Sequence, residues 1–167
     1  LDVTGHDILD VGASIGDTAV YFAVCGARLI VAVEPCPFAF EFLKKNINTN
    51  GFSKIEALNV GVGGHDGVVR VSTNPSCSGT PLKESADSVL VLLYSLDTLI
   101  EKYGPFYTLK MNCEGCEYDA LLNSKRLGAF DEIQVEYHYG YEGLLEKFKE
   151  FGFDVIATPP RQAFNTN

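Results

Sequence analysis

The apolar positions of this chain follow two rhythms in turn. Short apolar runs, several of them ended by Gly or Pro, read as buried strands, and longer stretches with apolar residues three and four apart read as helices. "DILDVG" (7–12) is a strand ending in Gly12, followed by the helix "DTAVYFAVCG" (17–26), with Asp17 as a possible N-cap and Gly26 as its stop. "ARLIVAVEP" (27–35) is a second strand, "FAFEFLKKNINTNG" (38–51) an amphipathic helix capped by Gly51, and "KIEALNVGV" (54–62) a third strand. The middle is less regular: a turn and short strand in "HDGVVRVSTN" (65–74), a loop in "NPSCSGTPL" (74–82), the apolar "SVLVLLY" (88–94), and a helix "SLDTLIEKYG" (95–104) opened by Ser95 or Asp97. Alternation then resumes with strand "YTLKMNC" (107–113), helix "EYDALLNSKRLGAF" (117–130), strand "EIQVEYH" (132–138), helix "YEGLLEKFKEFG" (141–152) and strand "FDVIATP" (153–159).

Strand–helix alternation of this kind predicts an α/β fold: a doubly wound, mostly parallel Rossmann-like sheet of six or seven strands, helices on both faces, and a small β insertion around 65–94. With 167 residues the expectation is a single domain over 1–167, one that allows for residues upstream of Leu1 because the chain does not open with Met. Composition is that of an ordinary globular protein, and no apolar run reaches the ~18 residues of a membrane span. The net charge of −9, with Lys and Arg scattered, argues against nucleic acid and anionic membranes as partners. Five cysteines are too few and too uneven for a secreted disulfide framework, so a cytoplasmic location is expected.

Ligands of an open α/β sheet bind at the carboxyl ends of its strands. The unusual polar residues collect on that rim: Gly12-Ala13-Ser14-Ile15-Gly16-Asp17 after the first strand, Glu34-Pro35 after the second, Asn59-Val60-Gly61 in the third, Asn112-Cys113-Glu114-Gly115 after the next, and Glu136-Tyr137-His138 after that. The first loop excludes a dinucleotide: counted from Gly12, the other glycine positions of G-x-G-x-x-G hold Ser14 and Asp17, and Asp17 puts negative charge where a pyrophosphate would sit. No Gly-Lys-Ser/Thr phosphate loop exists either. What remains is a Gly-rich turn for a ligand without phosphates, with Glu34 placed to accept from both ribose hydroxyls. A nucleoside with a cationic or zwitterionic tail suits these charges, and S-adenosylmethionine is one.

"DILDVGASIGDTAVYFA", "VAVEPCPFAFEFLKKNI", "SLDTL", "LKMNCEGCEYDALL" and "IQVEYH", in that order, resemble the FkbM-type methyltransferases of the class I S-adenosylmethionine-dependent fold, from about residue 7 to 158. The resemblance implies a seven-stranded sheet and S-adenosylmethionine as cofactor, lined by Asp10, Gly12, Ala13, Ser14 and Gly16, with Glu34 on the ribose and Asn59 to Gly61 near the adenine. Asp17, Pro35 and Asn112 on the same rim complete the candidate cofactor set. It also implies O-methylation, with a hydroxyl of a small molecule or sugar as acceptor. Two features depart from the family. Asn112 stands where relatives usually carry Asp, and an amide is no general base; the C-terminus leaves little chain for a seventh strand.

Side chains alternate along a strand, which groups Lys110, Asn112 and Glu114 on one face and Gln134, Glu136 and His138 on one face of the neighbouring strand. Methyl transfer is mostly alignment and water exclusion, with a base for the hydroxyl proton. The candidate catalytic residues are therefore His138, Glu114, Lys110, Asn112 and Glu136: His138 as the first choice of base, Glu114 or Glu136 if burial raises its pKa, and Lys110 to pair with those carboxylates or orient an acidic substrate. The bland alternative is an ion-pair network of Lys110, Glu114 and Glu136 closing the rim. Asn112, Glu114, Glu136 and His138 are donors a hard cation accepts, but no metal is assigned. Cys113-x-x-Cys116 invites a rival reading as a thiol–disulfide oxidoreductase, against which stand the flanking Glu114 and Glu117; strand alternation points Cys113 into the helix layer as a small core residue. A non-catalytic nucleoside-binding module is the third reading. Expected partners are a small-molecule or carbohydrate substrate, without nucleic acid or membrane, and a homodimer is an open option.

Overall fold

The structure, a computed structural model, describes residues 1–74, 87–138 and 140–158. Among these, five parallel strands form the main sheet: β1 (Asp7–Val11), β2 (Leu29–Val33), β3 (Ile55–Leu58), β7 (Thr108–Met111) and β8 (Glu132–Val135), in the order β3-β2-β1-β7-β8. The remaining strands, β4 (Val60–Gly63), β5 (Gly67–Ser72) and β6 (Ser88–Ser95), make a second sheet ordered β4-β6-β5. The expected doubly wound sheet is present, with five strands among the described residues where six or seven were expected.

Alternation along the central strands divides the core. Ile8, Ile30 and Ala32 face α1 (Asp17–Val24) and α2 (Pro37–Asn50), where Phe22, Leu43 and Ile47 cover them. Leu9, Val11, Val31, Val33, Leu109 and Met111 face the other way, onto α3 (Leu96–Tyr103), α4 (Cys116–Asn123) and α5 (Glu142–Glu150). Strands buried on both faces need near-continuous apolar runs; β2 (LIVAV) has one, and β1 (DILDV) is interrupted by the buried Asp10, whose charge Lys110 meets.

Three expected elements come out differently. The strand expected over 54–62 breaks at Asn59: its first half joins the main sheet and its second half pairs with β6. Asn59 explains the break, because its Nδ2 donates to the carbonyls of Glu34 (2.8 Å) and Pro35 (3.1 Å) and so turns the chain over the end of β2. The helix expected over 117–130 stops at Asn123, where the Asp97 carboxylate accepts from Ser124 Oγ and the Lys125 amide, and a short 3-10 turn follows at Leu127–Ala129. Residues 153–158 run irregularly rather than as a strand, so no sixth strand lies beside β8 among the described residues.

Candidate active site

The turn after β1 is built on close backbone approach. Gly12 has φ 75°, and a Cβ there would sit 1.7 Å from the carbonyl oxygen of Asn112. Only glycine fits, and its amide and that of Ala13 donate to the Val33 carbonyl. Gly16 (φ 90°) packs against Leu43 and occupies the N-cap of α1, where Asp17 was the expected cap; Asp17 lies in the first helical turn instead. Ser14 adopts φ 49°, which aims its amide at Glu34 Oε2 (2.9 Å). The other oxygen, Oε1, accepts from the Cys36 amide (2.8 Å). Burial raises the pKa of Glu34 and the nearby Asp10 charge adds to it, while the two amides and Lys110 pull it back.

Each Glu34 oxygen spends one lone pair on a backbone amide and retains another for a hydroxyl. Together with a carboxylate, Asp17, in the first turn of α1, this donor set suits a phosphate-free nucleoside. Asn112 Oδ1 is buried with no hydrogen-bond partner, an acceptor that a bound N–H or O–H would satisfy. The residues present therefore fit an S-adenosylmethionine-type ligand. Asn59 fixes the Glu34–Pro35 backbone, and Val60 and Gly61 are buried at the start of the second sheet.

Asp10 and Lys110 belong to the frame of this site. Asp10 is fully buried, and cross-strand register sets Lys110 beside it. Lys110 Nζ lies 2.9 Å from Asp10 Oδ1 and 3.2 Å from the Gly12 carbonyl; Thr18 Oγ1 donates to Asp10 Oδ2 at 2.6 Å. Lys110 thus braces the Gly12 turn, and the expected pairing of Lys110 with Glu114 or Glu136 is corrected: register places an acid on β1 closer to it than either.

Beyond β7 the polar row closes on His138. Asn112 Nδ2 donates to Glu136 Oε2 at 2.8 Å. Glu114, at φ 57°, brings Oε2 to 3.3 Å from His138 Nε2. Glu117 is fully buried at the start of α4. Its Oε1 accepts from the Cys113 amide (2.9 Å), its Oε2 from the Gly115 amide (2.7 Å), and Oε1 lies 3.3 Å from His138 Nδ1. His138 is therefore held between two carboxylates. The expected network of Lys110, Glu114 and Glu136 does not form; those charges go to Asp10, His138 and Asn112 respectively. No group of His, Cys, Asp and Glu among the described residues is arranged to hold a metal ion.

Sequence reasoning missed Glu117, which it treated as a charge flanking the cysteines. The available signal was its place, four residues after Cys113 and in the first turn of a helix, where a carboxylate can reach back to free amides. The cysteines also differ from expectation. Cys113 and Cys116 form a disulfide, and Cys36 is also disulfide-bonded. A strand-to-helix turn that packs two left-handed residues, Glu114 and Gly115 (φ 113°), between the cysteines brings their side chains together.

An open parallel sheet with this rim is the fold of the α/β methyltransferases. Residues 10–155 match the family described as the methyltransferase FkbM domain, and the chain belongs to that family. It is similar to the crystal structure of a methyltransferase FkbM from Methylobacillus flagellatus KT, with TM-score 0.64 and 18% identity over 88% of this chain and 36% of that one. It also resembles a putative RNA methyltransferase from Pyrococcus horikoshii, with TM-score 0.51 and 16% identity over 90% of this chain and 61% of that one. At such identities the likeness shows the fold. The chain spans little more than a third of the length of the first structure and under two thirds of the second. A search of curated protein sequences finds no match. No helix among the described residues is long and apolar enough to cross a membrane.

Proposed function

We propose that the chain is an S-adenosylmethionine-dependent O-methyltransferase domain that acts on a hydroxyl of a small molecule or sugar. The observation that carries this reading is the buried Glu34 carboxylate, held by the amides of Ser14 and Cys36 at the end of β2 beside the Gly12 turn. Glu34 would hold the ribose hydroxyls, and Ser14 and Gly16 would let backbone approach the ligand. When bound, S-adenosylmethionine supplies a methyl group on a sulfonium. Glu117 fixes the ring of His138 through Nδ1, which leaves Nε2 as the nitrogen that takes the acceptor's hydroxyl proton. An acceptor hydroxyl reaches Nε2 by displacing Glu114, whose side chain is one-third exposed. Asn112 positions Glu136 and offers Oδ1 as an acceptor.

Calorimetric titration tests the cofactor assignment. S-adenosylmethionine and S-adenosylhomocysteine should bind and NAD should not. Glu34→Ala should weaken binding about tenfold to a hundredfold, the range for hydrogen bonds to a charged group. Because burial raises the Glu34 pKa, affinity should be full above that raised value and decline as pH falls through it, at a higher pH than for an ordinary exposed glutamate. A chain that binds neither nucleoside, or a Glu34→Ala variant that binds both as tightly as the parent, overturns the reading. The Cys113–Cys116 disulfide favours a second reading, thiol–disulfide exchange on a protein substrate. Insulin reduction by the dithiothreitol-coupled assay measures it, and the exchange reading fails if Cys113→Ser/Cys116→Ser leaves the rate unchanged.

A further inference from the structure

Cys113 and Cys116 close a ring around two residues with left-handed backbone, Glu114 (φ 57°) and Gly115 (φ 113°). Glycine adopts that region freely; glutamate does so rarely and returns to negative φ when nothing holds it. Among the described residues, three polar or covalent contacts act on this turn. Glu117 accepts the amides of Cys113 and Gly115, which fixes the residues on either side of Glu114 but leaves its own side chain unbonded by Glu117. Glu114 Oε2 rests 3.3 Å from His138 Nε2. The disulfide is the third, and it constrains the Glu114 backbone directly. Both cysteines are half-buried rather than enclosed, packed on one side against the large core cluster.

We propose that Cys113 and Cys116 form a redox site that sets the availability of His138. In the oxidised chain the ring keeps Glu114 in the left-handed region with its carboxylate against Nε2. A dithiol reductant, small-molecule or protein, attacks one sulfur; the Sγ–Sγ bond breaks, two electrons and two protons pass to the cysteines, and the reductant leaves as its own disulfide. Two thiols remain, the ring opens, Glu114 relaxes to negative φ and Nε2 is released from it. Glu117 continues to hold Nδ1 in both states, because its contacts do not involve the sulfurs. This rests on His138 as the base of the proposed reaction, and it makes the reduced chain the active one.

The test reads His138 directly and needs no acceptor substrate. Diethyl pyrocarbonate modifies an imidazole at a free nitrogen, and peptide mass spectrometry locates the product and the alkylated cysteines. His138 should be modified about tenfold faster or more after dithiothreitol treatment, the protection expected of a contact to a charged partner. Cys113→Ser/Cys116→Ser, which leaves the Cys36 disulfide in place, should match the reduced chain without reductant. Glu114→Ala should match it with the Cys113–Cys116 disulfide intact, which keeps the test decisive if the double variant does not fold. Equal modification rates in the oxidised, reduced and Glu114→Ala chains overturn the proposal, as does slower modification on reduction. S-adenosylhomocysteine titration of the same samples separates the two readings. Binding without a change at His138 overturns the redox site alone. A change at His138 without binding leaves the redox site standing and overturns the methyltransferase reading.

Discussion

At the scale of single residues, position in the strand register decides role. Lys110 has the residue type and the place of a catalytic group, yet β1 pairs with β7 so that Asp10 is its neighbour. Asp10 is fully buried and the Lys110 side chain is only 13% exposed, so the pair meets where water does not screen it. Removing one member of such a pair leaves a buried charge uncompensated, at a cost of about 3–5 kcal/mol. Lys110→Ala should therefore lower the stability measured by urea unfolding by that amount, and Asp10→Asn/Lys110→Met should recover much of it. A Lys110→Ala chain that is as stable as the parent would return Lys110 to the catalytic set. The residues legible from sequence were those whose role is local. Gly12 and Glu34 sit at strand ends, where close backbone approach and a carboxylate turned to free amides are local features. Glu117 was missed because its partners, the Cys113 and Gly115 amides and His138, converge only once β7, α4 and the chain after β8 are assembled.

At the scale of elements, the helices and central strands were legible because punctuation and periodicity agree: Gly51 ends α2 at φ 68°, and Ser95 caps α3 by accepting from the Thr98 amide. The breaks were not, because each is imposed by a side chain distant in sequence. Apolar residues continue on both sides of Asn59 through 54–62, with only a phase shift at Ala57-Leu58 to mark a break, and the reach of Asn59 to the Glu34 and Pro35 carbonyls divides the segment between two sheets. Likewise Asp97, on α3, stops α4 at Ser124. The segment 153–158 has the composition of a strand, but its apolar residues Phe153 and Val155 pack on the core without pairing to β8. Asn59 is also the link between this topology and the site, because it fixes the backbone that carries Glu34. Asn59→Ala removes both donors and should cost about 1–3 kcal/mol of unfolding free energy, the range for a lost buried hydrogen-bond partner. It should also weaken S-adenosylhomocysteine binding, although Asn59 is not required to touch the ligand. Unchanged stability with weakened binding would instead make Asn59 a direct contact.

At the scale of the whole molecule, the two sheets share one core unequally. Val60 and Val62 of β4 belong to the large cluster with Leu9, Val11, Leu109 and Met111, which ties the start of the second sheet to the centre of the first. The outer strands are held differently. Val71 and Val91 pack with Cys36 and Ala39 in a small cluster, while Val68, Leu90 and Leu92 on the opposite face are exposed. A sheet that so few of the described residues pack, and on one face, opens locally before the whole chain unfolds. Native-state amide exchange should therefore show β1, β2 and β7 protected to the global stability and β5 and the outer half of β6 protected less. Mutations should separate in the same way. Leu109→Ala cuts a fully buried side chain from the shared core, at a cost of about 3–5 kcal/mol, and should lower protection in every strand together. Val91→Ala removes two methyl groups, worth about 1.6 kcal/mol by transfer alone, and should lower protection only in β5 and β6. Equal losses in β1 and β2 from Val91→Ala would mean that the second sheet is not a separate opening unit. The site above α2 would then share the full rigidity of the central strands, since Cys36, whose amide holds Glu34, lies in the same small cluster.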